Sequence, residues 1–265
     1  MTRFISGLAL ASLIIGVTLY GSPALFTAVT AFFAMACLVE FYGMLKAGGE
    51  PSMTGPGLIT GLGVFTLASL GLYESMAAFI PLTIMLIFGC AVICSGVDNS
   101  YRSASNTVFG ALYVGLTLAT LPLIRQMPDG ALLIIMLALA NGFCDTFAYY
   151  TGRAIGKTPL MPKVSPKKTV EGFVGGFIGS MAGALGFAHF FLQSLGIVNV
   201  AMIGLIVGVV GPLGDLAESA IKRKMGVKDS GRLIPGHGGA LDRLDSIMFT
   251  GPAILVYLLY VAGVR

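Results

Sequence analysis

Asp215, Glu218, Ser219 and Lys222 recur at i, i+3, i+4 and i+7, the spacing that sets side chains on one face of a helix. Two acids and a base facing one way near a membrane boundary suit a polar cavity; a polar network sealing the helix end is the plainer alternative. Downstream, PGHGGALDRLDS brackets His237 with Pro235, Gly236, Gly238 and Gly239. A backbone with few side chains and many accessible N–H groups can form an anion-binding nest. Asp242 and Asp245 stand three residues apart, so a helix starting here aims both at one spot. Paired carboxylates beside a phosphate loop point to Mg²⁺, which takes one or two carboxylates and completes its shell with phosphate oxygens and water. Arg243, between them, is available to phosphate or to a carboxylate. His237 could be a general acid or base, a phosphate donor or a structural hydrogen-bonder. Donor ranks first, because phosphoryl transfer depends mostly on positioning and charge stabilisation.

A second polar segment lies upstream, NGFCDTFAYYTGRAIGKTPLMPKVSPKKTVEG. Asp145 falls inside an apolar stretch, where an ionisable group is expensive and usually faces a cavity or a partner. Tyr149 is one helical turn further on and could share its face or anchor the membrane interface. In Ser165-Pro166-Lys167-Lys168-Thr169, Pro162 and Pro166 restrict the backbone and Thr169 reads as the N-cap of a helix opening at Val170. A helix N-terminus beside two ammonium groups is a natural phosphate site; a basic patch touching anionic headgroups is the alternative. The Gly175-Gly176-x-x-Gly179 run reads as helix packing. Neither segment resembles a Walker loop or a Rossmann fingerprint.

The elements that must hold these residues are apolar. Of 265 residues, 56% are hydrophobic and 11% charged, against about 25% charged in an average soluble protein. Continuous apolar runs near twenty residues exclude a transmembrane barrel, which alternates in segments of about ten. The chain is therefore expected to be an all-α, polytopic integral membrane protein. About nine transmembrane helices are expected, near 4–21, 24–45, 56–74, 76–97, 106–124, 130–150, 172–194, 198–221 and 246–264. Residues 1–130 would form an N-terminal lipid-facing scaffold and 131–265 a catalytic region. Breaks are expected at Gly21-Ser22-Pro23, Gly48-Gly49, Asp98-Asn99-Ser100 and Pro128-Asp129-Gly130. The N-terminal run reads as a first span, not a cleaved signal peptide. With nine spans, fourteen of the 16 Lys and Arg fall on one side. The positive-inside rule then puts the N-terminus and both polar segments in the cytoplasm and the C-terminus outside. Cys37, Cys90, Cys94 and Cys144 lie in apolar stretches without zinc-type spacing and read as small buried residues.

Taken together, the two polar segments resemble the phosphatidate cytidylyltransferase (CDP-diacylglycerol synthase) family. Its C-terminal signature is matched by Ser219, Lys222, Arg223, Lys228, Asp229, Gly231, Pro235, Gly236, His237, Gly238, Gly239, Asp242, Arg243 and Asp245. Asp145, Ala148, Tyr149, Gly152, Arg153, Gly156, Lys157, SPKKT, Glu171 and Gly172 match the upstream block. The match covers about 141–246; residues 1 to about 130 contribute hydropathy alone.

The resemblance implies transfer of CMP from CTP to phosphatidic acid, giving CDP-diacylglycerol and pyrophosphate with Mg²⁺. Asp215, Asp242 and Asp245 are the implied metal ligands, for one ion or two, with Asp145 or Glu218 as further candidates. Lys167, Lys168, Lys222, Arg223, Lys228 and Arg243 would hold phosphates, Ser165, Thr169, Ser219 and Asp229 would line the substrate site, and Gly236, Gly238 and Gly239 would approach the triphosphate. Expected partners are CTP, phosphatidic acid and the bilayer of a bacterial-type cytoplasmic membrane. A homodimer through the Gly-rich helices is a further expectation, and no nucleic acid is expected. A related CTP-dependent lipid nucleotidyltransferase or lipid kinase has nearly the same site physics. A secondary transporter, with Asp145, Asp215 and Glu218 binding coupling ions, is disfavoured by the lack of an internal repeat.

Overall fold

The structure, a computed structural model, describes residues 12–233 and 238–264. Residues 12–20 are helical (α1) and are followed by α2 (Pro23–Ala47), α3 (Thr54–Ser69), α4 (Tyr73–Arg125) and α5 (Gly130–Ile155). A hairpin of β1 (Pro159–Met161) and β2 (Ser165–Thr169) leads into α6 (Val170–Phe191), a 3-10 turn, α7 (Ile197–Lys224) and α8 (Leu241–Tyr260). Apart from this short antiparallel pair, the described residues form an all-helical, membrane-spanning fold.

Nine spans are too many. Among the described residues five helices, α2, α4, α5, α6 and α7, are long and apolar enough to cross a membrane. The stretch expected at 56–74 is a helix of 16 residues, about 24 Å at 1.5 Å per residue and short of the ~30 Å hydrocarbon core. Its end is set by Gly71, whose φ of +69° a side chain would strain. The stretches expected at 76–97 and 106–124 are a single 53-residue element. Helix continues through Asp98-Asn99-Ser100, and the one non-helical residue is Gly96 (φ 69°, ψ 175°). The last helix begins at Leu241 rather than 246, with Asp242, Arg243 and Asp245 in its opening turns, and is not among the five. Most of the expected first span, 4–21, lies outside the described residues. The assignment of chain ends to membrane sides rested on nine spans, and five do not determine it.

Lipid exposure follows from what the helices leave unburied. Only 11% of the most apolar window of α4 is buried, and Ile93 and Val97 are 84% and 93% exposed. Contiguous apolar surface of this kind is rare on soluble proteins.

The chain divides into two compact units. One comprises 1–123 and 221–243, the other 124–220 and 244–265. In the first, Phe41 and Tyr42 of α2 are fully buried, and the Tyr42 hydroxyl donates to the Thr107 carbonyl of α4 (2.6 Å). In the second, α6 lays Gly172, Gly176 and Gly179 against Ala148, Cys144 and Phe147 of α5. A Cβ at Gly176 would stand 3.0 Å from the Ala148 Cβ and from the Cys144 carbonyl oxygen. The glycine run is thus a close helix–helix seam, as its small-residue spacing predicts. Ser180 of α6 then donates to the Gly204 carbonyl of α7 (2.9 Å), which fixes α7 beside the seam.

Candidate active site

In the second unit a cavity of about 390 Å³ opens between α5, the hairpin, α6 and α7. Thr169 begins it: extended itself (φ −120°, ψ 156°), it accepts from the Gly172 N–H (3.1 Å) and caps α6. The cap satisfies a donor that the first turn of a helix leaves unpaired. Behind it, Glu171 accepts from the backbone N–H groups of Lys157 (3.0 Å) and Thr158 (3.2 Å), tying the chain entering β1 to the start of α6. The hairpin is thereby anchored at both ends, and β2 carries Lys167 and Lys168 into the cavity wall.

Lys168 pairs with Asp215 of α7 at 2.6 Å, both side chains partly buried. Asp215 also accepts from the Ser219 hydroxyl at 3.2 Å, the i, i+4 contact that the helical spacing requires. Asp145, Tyr149 and Arg153 of α5 line the same cavity. The rest of its wall is apolar, including Cys144, Ala148, Leu160, Phe173 and Pro212. The arrangement thus joins three cations and two carboxylates to a hydrocarbon surface. A phosphate attached to an apolar tail matches both parts.

Glu218, one turn beyond Asp215, is fully buried. Asp245 accepts from the adjoining Ser246 N–H (2.6 Å), and its backbone carbonyl carbon lies 3.1 Å from where a Cβ on Gly214 would stand. That close approach admits only glycine beside Asp215.

The first unit holds the other polar segment. Lys222 donates to Asp242 Oδ1 at 2.7 Å, with the two side chains 11% and 10% exposed. Asp242 Oδ2 accepts from the N–H groups of Ser230 (2.9 Å) and Gly239 (2.8 Å). Burial works against this charge, but Lys222 and the two N–H groups outweigh it and hold the carboxyl below the usual carboxylate range. The Gly239 N–H, expected to face a phosphate, is directed to Asp242 instead. Gly238 has φ +85°, where a side chain would be strained. Arg223 donates to the Val227 carbonyl (3.3 Å), while Lys228, Asp229 and Arg243 are exposed and Ser165 is partly buried. Gly236 and His237 lie outside the described residues.

One buried acid beside the C-terminal polar segment was missed by the sequence reading. Glu40, in α2, is buried and accepts from the Ser230 hydroxyl, the Ala240 N–H and the Leu241 N–H. The signal was available: an acid inside an apolar span, the same criterion that singled out Asp145.

The sequence pattern of the cytidylyltransferase family matches residues 1–261. The chain belongs to the cytidylyltransferase family. Among its relatives is the uncharacterized protein YnbB of Escherichia coli (strain K12), 35% identical over 202 residues, 74% of this chain and 67% of that protein. A phosphatidate cytidylyltransferase of Staphylococcus haemolyticus (strain JCSC1435) is 38% identical over 160 residues, 60% of this chain and 61% of that enzyme. One of Staphylococcus saprophyticus is 37% identical over 162 residues, 61% and 62%. The chain therefore spans about three fifths of the staphylococcal enzymes it matches. The resemblance read from the two polar segments is thus a family relationship, to a family of nucleotidyltransferases.

Two carboxylates, Asp145 and Asp215, line the one cavity, the number Mg²⁺ takes from a protein when phosphate oxygens and water complete its shell. Among the described residues no three His, Cys, Asp or Glu side chains gather into an all-protein cage. The donor set fits a metal shared with a polyphosphate.

Proposed function

We propose that the protein is a phosphatidate cytidylyltransferase, joining CTP and phosphatidic acid to give CDP-diacylglycerol and pyrophosphate. The observation that carries this reading is the cavity in which Lys167, Lys168, Asp145 and Asp215 adjoin an apolar wall. A phosphatidate oxygen attacks the α-phosphorus of CTP and forms a new P–O bond. The bond to the bridging oxygen of the β-phosphate breaks, and pyrophosphate leaves with that electron pair. The nucleophile is already ionised at neutral pH, so positioning and charge neutralisation make up most of the catalysis.

Lys167 and Lys168 bind phosphate oxygens, and the N-terminus of α6 adds its partial positive charge. Asp145 and Asp215 would hold Mg²⁺, which would supply neutralisation of the negative charge on the phosphates. Asp245 is a further candidate ligand. Within the first unit, Asp242 orients Lys222, a separate candidate for holding phosphate. Cys144, Ala148, Leu160 and Phe173 take the glycerol end of the acyl chains, which enter laterally from the bilayer. The cavity faces the cytoplasm in this reading, where CTP is supplied.

The test uses the purified full-length protein with radiolabelled CTP, phosphatidic acid and Mg²⁺, followed by identification of the lipid product. CDP-lipid with pyrophosphate is expected. Phosphorylated lipid with released CDP would identify a lipid kinase instead, and no labelled product across metals and detergents would sink the reading.

A further inference from the structure

Glu40 lies in the N-terminal half of the chain, far in sequence from both polar segments, yet all three of its hydrogen-bond partners lie within the C-terminal polar segment, between its signature residues. Its Oε2 accepts from the Ser230 hydroxyl (3.0 Å) and the Leu241 N–H (2.9 Å), and its Oε1 from the Ala240 N–H (3.0 Å). Ala240 and Leu241 stand at the start of α8, so Glu40 caps this helix start from α2. An anion at this place also meets the positive end of the helix dipole.

The glycines around it fit the same account. A Cβ on Gly231 would collide with the Glu40 carboxylate, and one on Gly239 would collide with the carboxylate and with Ser230 Oγ. Gly231 and Gly239 are therefore needed to let this carboxylate reach the backbone. The path continues to the charged pair. The Asp242 N–H donates to Ser230 Oγ (3.3 Å), and the Asp242 carboxylate returns to the Ser230 and Gly239 N–H groups while holding Lys222.

We propose that Glu40 is a positioning residue for the signature segment: its carboxylate fixes Ser230 and the first turn of α8, and so sets where Asp242 holds Lys222. The role needs two acceptor oxygens, because each of the three partners is a donor. The Ser230 hydroxyl spends its one proton on Glu40 while its oxygen accepts from Asp242. In Glu40→Gln one oxygen becomes an NH₂ group. With the remaining oxygen on Ser230 and Leu241, that group faces the Ala240 N–H, donor against donor.

The consequence for catalysis rests on the proposed cytidylyl transfer, whereas the positioning role does not, and the experiment separates them. Hydrogen–deuterium exchange is measured on wild type and E40Q in the same detergent, together with kcat and the KM for CTP. The expected result is exchange about 10- to 100-fold faster in peptides covering 226–233 and 238–244, with little change elsewhere. kcat is expected to fall by a similar factor at a KM for CTP within about twofold. Ser230→Ala should loosen the same peptides less, and the double variant should be no looser than E40Q alone. Unchanged exchange in these peptides overturns the proposal, as does a uniform rise in every peptide, which would mark Glu40 as a general stability residue. If wild type makes no CDP-lipid, the cytidylyltransferase reading fails and the exchange result still decides the role of Glu40.

Discussion

Replacing Lys222 by Met removes one half of a pair whose side chains are 11% and 10% exposed. At 2.7 Å and an effective dielectric of about 20, the gross attraction is about 6 kcal/mol, and desolvation of both groups offsets part of it. Breaking a buried pair by removing one partner typically costs about 3–5 kcal/mol, because the other charge is left uncompensated. The N–H groups of Ser230 and Gly239 remain on Asp242, so Lys222→Met should fall at the lower end, about 3 kcal/mol. Asp242→Asn should cost a similar amount by stranding the ammonium. The double variant loses both charges together and should cost about 4 kcal/mol, not about 6, which gives a coupling of about 2 kcal/mol. Equilibrium unfolding in mixed micelles at pH 7 measures all four proteins. Additivity within about 0.5 kcal/mol would show that the pair is not an energetic unit. The pH dependence is a second reading of the same pair. Because the folded carboxyl of Asp242 lies below its ordinary value, its stabilisation is complete above the unfolded pKa near 3.9 and is lost as pH falls through the folded value. In Lys222→Met burial remains while the chief opposing influence is gone, so that loss should move to higher pH.

Asp215→Asn should lower CDP-lipid formation by about 100-fold or more, since charge stabilisation worth several kcal/mol is withdrawn; an unchanged elution profile and helix content would confirm folding, and wild-type activity would remove Asp215 from the metal assignment. Thr169→Ala deletes the cap on α6 and should destabilise by about 1 kcal/mol. Its thermal midpoint should fall by a few degrees, and a rise would contradict the capping role.

The parts legible in the sequence were those fixed by near neighbours. Thr169 caps α6 because the hydroxyl and the Gly172 N–H are three residues apart, and the glycine run packs α6 on α5 because a small-residue stripe serves little else. The span count failed for the opposite reason. Hydropathy windows do not see that Gly71 ends α3 after 16 residues, or that helix runs on through Asp98-Asn99-Ser100. The hairpin was not anticipated, since three residues of β1 carry no alternation. Glu40 was overlooked because its partners are 190 to 201 residues away, although its charge in an apolar span could have drawn notice.

The Lys168–Asp215 contact at 2.6 Å makes each of these groups a competitor for the other's ligand. An arriving phosphate must draw Lys168 from Asp215, and an arriving cation must draw Asp215 from Lys168. On the proposed reading, in which Lys168 binds phosphate and Asp215 the metal, either event would leave the remaining group open to its own ligand, and nucleotide and metal would bind with positive heterotropic coupling. By linkage the factor is the same in both directions, typically about 5- to 150-fold. Titrating Mg²⁺ with and without CTP would read it, and equal affinities would show no coupling. On that reading the pair would act as a coincidence detector, opening fully to a metal–nucleotide complex and poorly to either component alone.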